Sequence, residues 1–494
     1  MTLNNIDSIY YFIPEIVLIF GILIVIILDL LPKHKSKVHA VSLITILLTQ
    51  VFFAVNNSII DQPISLFMGM IVIDPFANYF KWIIQFSTFF IVLLSKYDNS
   101  IDSDTRSEYN TLLMVTYLGL LLMVSSVNLI MIYLAIELVS IPSYILAGFT
   151  RNDKKSNEAS LKYIIFGSFA SGLMLYGLSW LYGISGSTNI YEISNSLLSS
   201  QNSLMVYTSL ILVLVGFGYK ISMFPFHYWT PDVYEGSPTP ITAFLSVGPK
   251  AAGLAIMIRV FYILFTDSGG VASVSFINDI NWPYVIAILS ACTMTIGNLL
   301  AVQQDNVKRI LAYSSIAHVG FMLMAFSIIS IESIQAIMLY IFIYMFMNLG
   351  AFFVLIFVSD TTGAKNVEDW NGIGKRSPLI GACMTITLVS LAGLPPTSGF
   401  IGKFYLFATL FRDGSFYWLA VIAILNSVVS LYYYFRIVRA MYLVDSENAT
   451  LSLEPVPVLK YSILFFAAQN ILFYMYWNKL VYGLIEKSIV FFVG

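Results

Sequence analysis

Apolar runs of about 20 residues recur along the whole chain, and this recurrence constrains the fold more than any other feature. The runs fall near 11–31, 38–55, 72–95, 109–126, 128–149, 159–182, 204–224, 239–265, 282–302, 308–328, 333–358, 378–411, 416–438 and 457–482. Each is long enough to cross the roughly 30 Å hydrocarbon core as a helix, and none alternates in polarity over about 10 residues as a membrane strand would. Because backbone amides in lipid must be satisfied within their own segment, the sequence predicts an all-α polytopic membrane protein of about 14 transmembrane helices. Of the 494 residues, 58% are hydrophobic and 11% charged, against about 25% charged in soluble domains, which leaves little for a separate aqueous domain.

Lys+Arg 25 against Asp+Glu 27, with no long basic block, excludes nucleic acid as a partner and leaves the lipid bilayer as the surroundings. Cys292 and Cys383 lie far apart inside apolar runs, so neither a disulfide framework nor a C-x-x-C metal or redox site is expected. No metal and no cofactor is assigned to this chain. The first run ends at Pro32 and a basic cluster instead of a small-residue cleavage site, and is read as a retained helix.

Loop charges set the orientation. Lys33, Lys35 and Lys37 follow the first run, Lys96 and Arg106 the third, and Arg151, Lys154 and Lys155 the fifth. Lys308 and Arg309 follow the ninth, Lys365, Lys375 and Arg376 the eleventh, and Arg436, Arg439 and Lys460 the thirteenth. Even-numbered loops carry only Arg412, with Lys479 and Lys487 near the C-terminus, so the odd loops face the cytoplasm or matrix. The loop after the seventh run is silent: it holds Asp232 and Glu235 and no basic residue.

Glu137 in the fifth run and His318 in the tenth lie about 180 residues apart, as do Lys220 in the seventh and Lys403 in the twelfth. Equivalent spans five apart cross in opposite directions, which is the plan of an inverted repeat.

An ionisable side chain near mid-span costs about 2.5–3.5 kcal/mol on insertion scales and persists only with a partner, water or a task. Glu137 in YLAIELVSIPSY, Lys220 in GFGYKISMFPF, Lys250 in SVGPKAAG and Lys403 in PPTSGFIGKFYLF all stand at such depth. Lys162 lies nearer the basic end of its run, within snorkelling reach, and Lys81 and Arg259 are expected as interfacial anchors. Prolines accompany the charges: Pro142 and Pro225 follow Glu137 and Lys220, Pro249 precedes Lys250, and Pro395 and Pro396 precede Lys403. Each is expected to break its helix by removing a hydrogen bond and freeing a carbonyl, that of Ile221 in the case of Pro225, for water or a cation; ordinary proline kinking is the alternative.

The chemistry this permits is proton relay, since a lysine withdrawn from water holds its proton less firmly and a carboxylate within about 4 Å restores the hold. Glu137 and Lys220 are expected as such a pair, Lys250 as the carrier across the middle and Lys403 as the release site. A scaffold of static ion pairs is the alternative. His318 in AYSSIAHVGFM either bridges the path or is simply hydrogen-bonded within the bundle. His227, beside Asp232 and Glu235, reads equally as a proton-uptake antenna and as part of a solvated loop. GFIGKF lacks the G-x-x-x-x-G-K-[ST] pattern and no H-E-x-x-H occurs, so nucleotide and zinc sites are not expected. Small residues around Gly167–Gly177 are read as allowing close helix packing.

The stretches YLAIELVSIPSYILAGF, SNEASLKYIIFGSFASGLMLYGLSWLYG, KISMFPFHYWTPDVYEGSPTPITAFLSVGPKAAG, DNVKRILAYSSIAHVGFM and SLAGLPPTSGFIGKFYLF resemble the antiporter-like subunit N family of respiratory complex I, whose mitochondrial counterpart is NADH dehydrogenase subunit 2. The resemblance covers about runs 3–13, and HYWTPDVYEGSPTP and GLPPTSGFIGKFYLF are its most specific parts. It implies two inverted five-helix repeats, 109–265 and 282–440, with runs 7 and 12 broken, between N-terminal helices in 1–108 and a C-terminal loop and helix in 441–494. Glu137, Lys220, Lys250 and Lys403 match the family's proton-relay residues, with Lys162 as a further member of the hydrophilic axis. The resemblance also implies that NADH, FMN, iron-sulfur clusters and quinone are held by other subunits of a proton-translocating NADH-quinone oxidoreductase. Its partners would be adjoining antiporter-like subunits and a lateral helix of a neighbour, in a bacterial cytoplasmic membrane or an organellar inner or thylakoid membrane. An Mrp-type cation/proton antiporter subunit and a membrane-bound hydrogenase arm would share the fold and stand as alternatives.

Overall fold

The computed structural model describes residues 2–59, 62–102, 104–198, 203–265, 281–445 and 453–493. Among them, thirteen helices are long and apolar enough to cross a membrane, and the run expected at 378–411 is two shorter helices. Helices α1 (Asn5–Tyr11) and α2 (Ile13–Leu30) meet at Phe12, with Pro14 in the first turn of α2. After α3 (Val38–Ile59), the run expected to begin at 72 opens instead with an antiparallel hairpin of β1 (Ile64–Leu66) and β2 (Ile71–Ile73). The following helix, α4 (Pro75–Ser95), starts only at Pro75, because the Asp74 side chain accepts from Ala77 N and proline suits a first helical position. Helix α5 (Arg106–Ser125) packs on α2 and α4.

Helices α6 (Leu129–Ala147), α7 (Lys154–Ser185), α8 (Ile190–Leu198) and α9 (Ser203–Ile221) come next. At Gly177 of α7 an added Cβ would sit 2.7 Å from Ser209 O of α9, so the expected small-residue contact is made. The short α10 (Trp229–Gly236) leads into α11 (Thr239–Phe265), where all 27 residues are buried. It forms the centre with α13 (Val307–Phe326) and α14 (Ile331–Thr362), which follow α12 (Trp282–Val302). These helices are apolar all round because neighbours cover every face. The chain ends through α15 (Ile373–Arg376), α16 (Pro378–Ala392), α17 (Ser398–Asp413), α18 (Tyr417–Leu443), α19 (Pro457–Leu472) and α20 (Asn478–Val493). Outward faces stay apolar, with Ile24, Phe169, Leu425 and Val428 exposed, as a lipid surrounding requires.

Two spans are interrupted in the same way. Helix α9 stops at Ile221, where Ser222 N bonds Tyr219 O at 3.1 Å, Met223 N bonds Gly218 O at 2.8 Å, and Ser222 takes φ 66°. Helix α16 stops at Ala392, where Gly393 N bonds Ser390 O at 2.9 Å, Leu394 N bonds Val389 O at 3.2 Å, and Gly393 takes φ 84°. Both are Schellman caps, with the left-handed residue just past the helix end. Pro225, Pro395 and Pro396 therefore do not kink continuing helices. They lie in the irregular segments where these two spans are broken, whereas the breaks expected at Pro142 and Pro249 are not there: both prolines sit inside the continuous helices α6 and α11, whose neighbouring turns carry the helix past the missing bond.

Two expectations are corrected. Lys81 is no interfacial anchor: it is buried on α4 with its Nζ 2.7 Å from Glu15 Oε1 of α2. Arg259, fully buried on α11, clamps Asp74 with bonds of 2.7 and 3.0 Å. Hydropathy placed both near run ends, but their sides of the helix face carboxylates, not the membrane surface.

Candidate functional site

Helical repeats set the spacing of the mid-span charges. On α6, Glu137 and Ser140 stand about one turn apart on one face. Lys220, in the last turn of α9, donates from Nζ to Ser140 Oγ at 3.0 Å, and Ser140 Oγ donates to Ile136 O at 2.7 Å. Glu137 is half-buried, and its buried Oε1 has no hydrogen-bond partner among the described residues. The expected Glu137–Lys220 contact is thus not made in this conformation; the ammonium turns to the hydroxyl one turn along α6.

Lys220 leans on α11 at Gly253, where an added Cβ would meet Ile221 Cγ2 at 2.7 Å and Lys220 Cγ at 3.5 Å. One turn earlier on α11, the fully buried Lys250 donates to Ser315 Oγ at 2.6 Å and lies 5.7 Å from the centre of the Tyr234 ring. Along α13, Ser315, His318 and Phe321 then follow at about 4.5 Å of rise per step. His318 Nδ1 is 2.6 Å from Tyr340 Oη and Nε2 is 3.2 Å from Tyr434 Oη, which also bonds Ser314. Lys403 Nζ lies 4.6 Å from the centre of the Phe321 ring. It donates to Ala392 O at 2.9 Å and to Ser427 Oγ at 3.4 Å. Helix α13 therefore measures the distance from Lys250 to Lys403, with His318 between them.

The half-helix ends have an electrostatic part in this line. Lys403 reaches the terminal carbonyl of α16, so its ammonium meets the negative end of a helix dipole, and Lys220 is placed in the last turn of α9, where a cation is favoured. Gly393 makes room for this, since a Cβ there would fall 2.7 Å from Lys403 Cδ. With its left-handed φ, Gly393→Ala is expected to destabilise the break by about 1–3 kcal/mol and displace Lys403. Thermal release of the subunit from its complex, compared with the parent, measures the loss.

The remaining candidates form a separate layer at the basic end. Lys162 contacts Asp232 at 2.5 Å and Glu158 at 2.6 Å, away from Lys220. Arg309 bonds Asp232 at 2.7 Å and Glu235 at 2.9 Å, and Lys155 meets Glu235 at 2.5 Å. The acidic loop after the seventh run is thereby neutralised by basic residues of two other loops, which explains its silence in the charge pattern. Burial opposes ionisation of Asp232, but hydrogen bonds from Lys162 and Arg309 outweigh it and hold this carboxyl below its usual range.

His227 touches neither acid. It is buried and stacks on Tyr228 at 4.6 Å, and its Nδ1 has no partner among the described residues. Burial pushes its pKa from 6.5 down to about 4, so the folded imidazole is neutral at pH 7. The unfolded chain binds the extra proton first, so His227 lowers stability as pH falls from 6.5 toward about 4. His227→Gln is expected to remove that acid-side loss, read by comparing thermal release of the subunit at about pH 7 and about pH 5.

Ser140, Ser315, Tyr340 and Tyr434 were not singled out from sequence. The two serines carry a local signal, three residues from Glu137 and from His318. The tyrosines come from α14 and α18 and carry none.

A polytopic helical bundle with two capped breaks, each facing a buried lysine, defines the class of antiporter-like membrane subunits. The family model described as NADH:quinone oxidoreductase/Mrp antiporter, TM, matches residues 126–430. NADH-quinone oxidoreductase subunit N 2 of Sorangium cellulosum is 44% identical over 99% of this chain and 98% of that protein. A chain of respiratory complex I from Thermus thermophilus with bound aureothin superposes with TM-score 0.79 and 28% identity, covering 96% of this chain and all of that one. A chain of the archaeal membrane-bound sulfane sulfur reductase shares the fold at TM-score 0.88 and 24% identity over 98% of both chains. The chain belongs to the NADH-quinone oxidoreductase subunit N family.

Proposed function

We propose that this chain is a proton-translocating antiporter-like subunit in the membrane arm of an NADH-quinone oxidoreductase. Electron transfer from NADH to quinone takes place in other subunits, which hold the FMN and iron-sulfur clusters, and drives protons along Glu137, Lys220, Lys250 and Lys403. The observation that carries this reading is continuity: Glu137 and Lys220 meet through Ser140 within one turn of α6, Lys220 and Lys250 stand one turn apart at Gly253 of α11, and Lys250 and Lys403 are joined along α13 through Ser315, His318 and Phe321, one turn per step. A lysine that swings between a hydroxyl and a carboxylate changes its hold on a proton, and Lys220 bonds Ser140, which stands one turn along α6 from Glu137. Asp232, Glu235 and Lys162 belong to the mouth on the basic side, where their ion pairs keep the loops together, and His227 lines the same end.

The two Schellman-capped breaks support an inverted repeat of 109–265 and 282–440, flanked by 1–108 and 441–494; of the last segment, 446–452 and 494 lie outside the described residues. Adjoining antiporter-like subunits and a neighbour's lateral helix are the partners. Mrp-type and hydrogenase-type complexes share the fold, but 44% identity across 99% of the chain favours the subunit N reading.

The test is Lys403→Met in the assembled complex, with proton flux and electron transfer measured separately in vesicles. Protons moved per electron are expected to fall severalfold with no dependence on sodium. An unchanged ratio would contradict the relay, and sodium-dependent flux would favour the antiporter alternative.

A further inference from the structure

The buried Glu15–Lys81 pair lies before residue 126, outside the stretch that the family model matches, and it does not stand alone. On α4, Gln85 follows Lys81 by one turn and is fully buried with neither amide atom bonded among the described residues. The Tyr117 hydroxyl of α5 faces Glu15 and Gln85 but makes no hydrogen bond of good geometry. Two turns nearer the N-terminus of α5, on the same face, Asn110 is fully buried with both amide atoms unpartnered among the described residues. One further turn brings Ser107, which bonds Asp29 of α2, a carboxylate 25% exposed and 3.6 Å from Lys35.

These groups form one stripe between α2, α4 and α5. Glu15 and Asp29 are separated by about 21 Å at 1.5 Å of rise per residue, most of the thickness of an apolar core. Beyond Glu15 the stripe ends against the Phe53 ring and the apolar cluster of Leu66, Ile71 and Ile73 with Phe12 and Phe67. Amides buried without partners are satisfied in proteins by ordered water, which needs polar neighbours on several sides. The stripe supplies them at each step.

We propose that α2, α4 and α5 enclose a water-filled half-channel from the Asp29–Ser107 end to Glu15–Lys81, which makes that pair a second proton-exchange site, open only toward the basic loops. A proton delivered along the water adds to a Glu15 carboxylate oxygen and frees the Lys81 ammonium from the contact. Its departure to water restores the pair. The site is separate from the lysine line and does not depend on the role proposed for it.

Electron cryomicroscopy of the assembled complex, at a resolution that shows water, is expected to place ordered water against Gln85 and Asn110. Dry packing with these amides turned onto protein partners would overturn the proposal. Access is tested with silver ions in sealed vesicles, the modified peptide being read by mass spectrometry. Asn110→Cys is expected to react from the basic-loop side about tenfold faster than Met123→Cys, a buried position off the stripe. Equal rates at the two positions, or equal access from both faces of the membrane, would overturn it.

Discussion

Electron transfer is expected to outlast proton movement when Lys250 is replaced by Met in the assembled complex. Lys250 is fully buried in the middle of α11, and its ammonium donates to Ser315, whose helix leads on to His318 and the Lys403 contact. Methionine keeps most of the side-chain length and removes only the proton-carrying group, so packing survives while the line is cut at its centre. Loss of a positioned acid-base group lowers a proton-transfer step by about 100-fold or more, so flux through this subunit should fall to background. A pH-sensitive dye inside vesicles, followed together with NADH oxidation, separates the two rates. Normal protons per electron at normal assembly would mean that the charge is static. Ser315→Ala should give a weaker defect of the same kind, because water can take the place of a hydroxyl but not of an ammonium.

The second large effect concerns folding. Arg259→Leu removes the guanidinium that clamps Asp74, leaving a carboxylate buried against α11 without its main counter-charge. Breaking such a pair from one side costs about 3–5 kcal/mol, enough to release the subunit from its complex at lower temperature. Adding Asp74→Asn, which keeps an acceptor to cap α4, should recover most of the loss, since a neutral amide is far cheaper to bury than a lone charge. If the double variant is as unstable as the single one, packing of the arginine stem and not its charge is responsible.

Legibility differed from residue to residue for physical reasons. Glu137, Lys220, Lys250 and Lys403 could be read from sequence because a charge at mid-span contradicts its surroundings within a few residues. The breaks at Ser222 and Gly393 were signalled by the prolines and by the resemblance; only the structure shows that they are complete Schellman caps, because those bonds depend on where the chain goes next. Lys81 and Arg259 were misread as anchors because their partners, Glu15 and Asp74, lie 66 and 185 residues away. The hairpin at 64–73 was missed because Ile71–Ile73 is as apolar as the helix that follows.

What the sequence determined by itself is the solvent and the helices: apolar spans long enough to cross a bilayer, with titratable groups placed along them. These are local matters, settled by runs of apolar residues and by the need of every amide for a partner nearby. What only the tertiary structure decided is who faces whom: Lys220 to Ser140, Lys250 to Ser315, Lys403 to the end of α16, and Glu15 to Lys81. Those contacts depend on the rotation and depth at which whole helices pack, which small differences in side-chain volume distributed over many residues select, and no single stretch of chain records them.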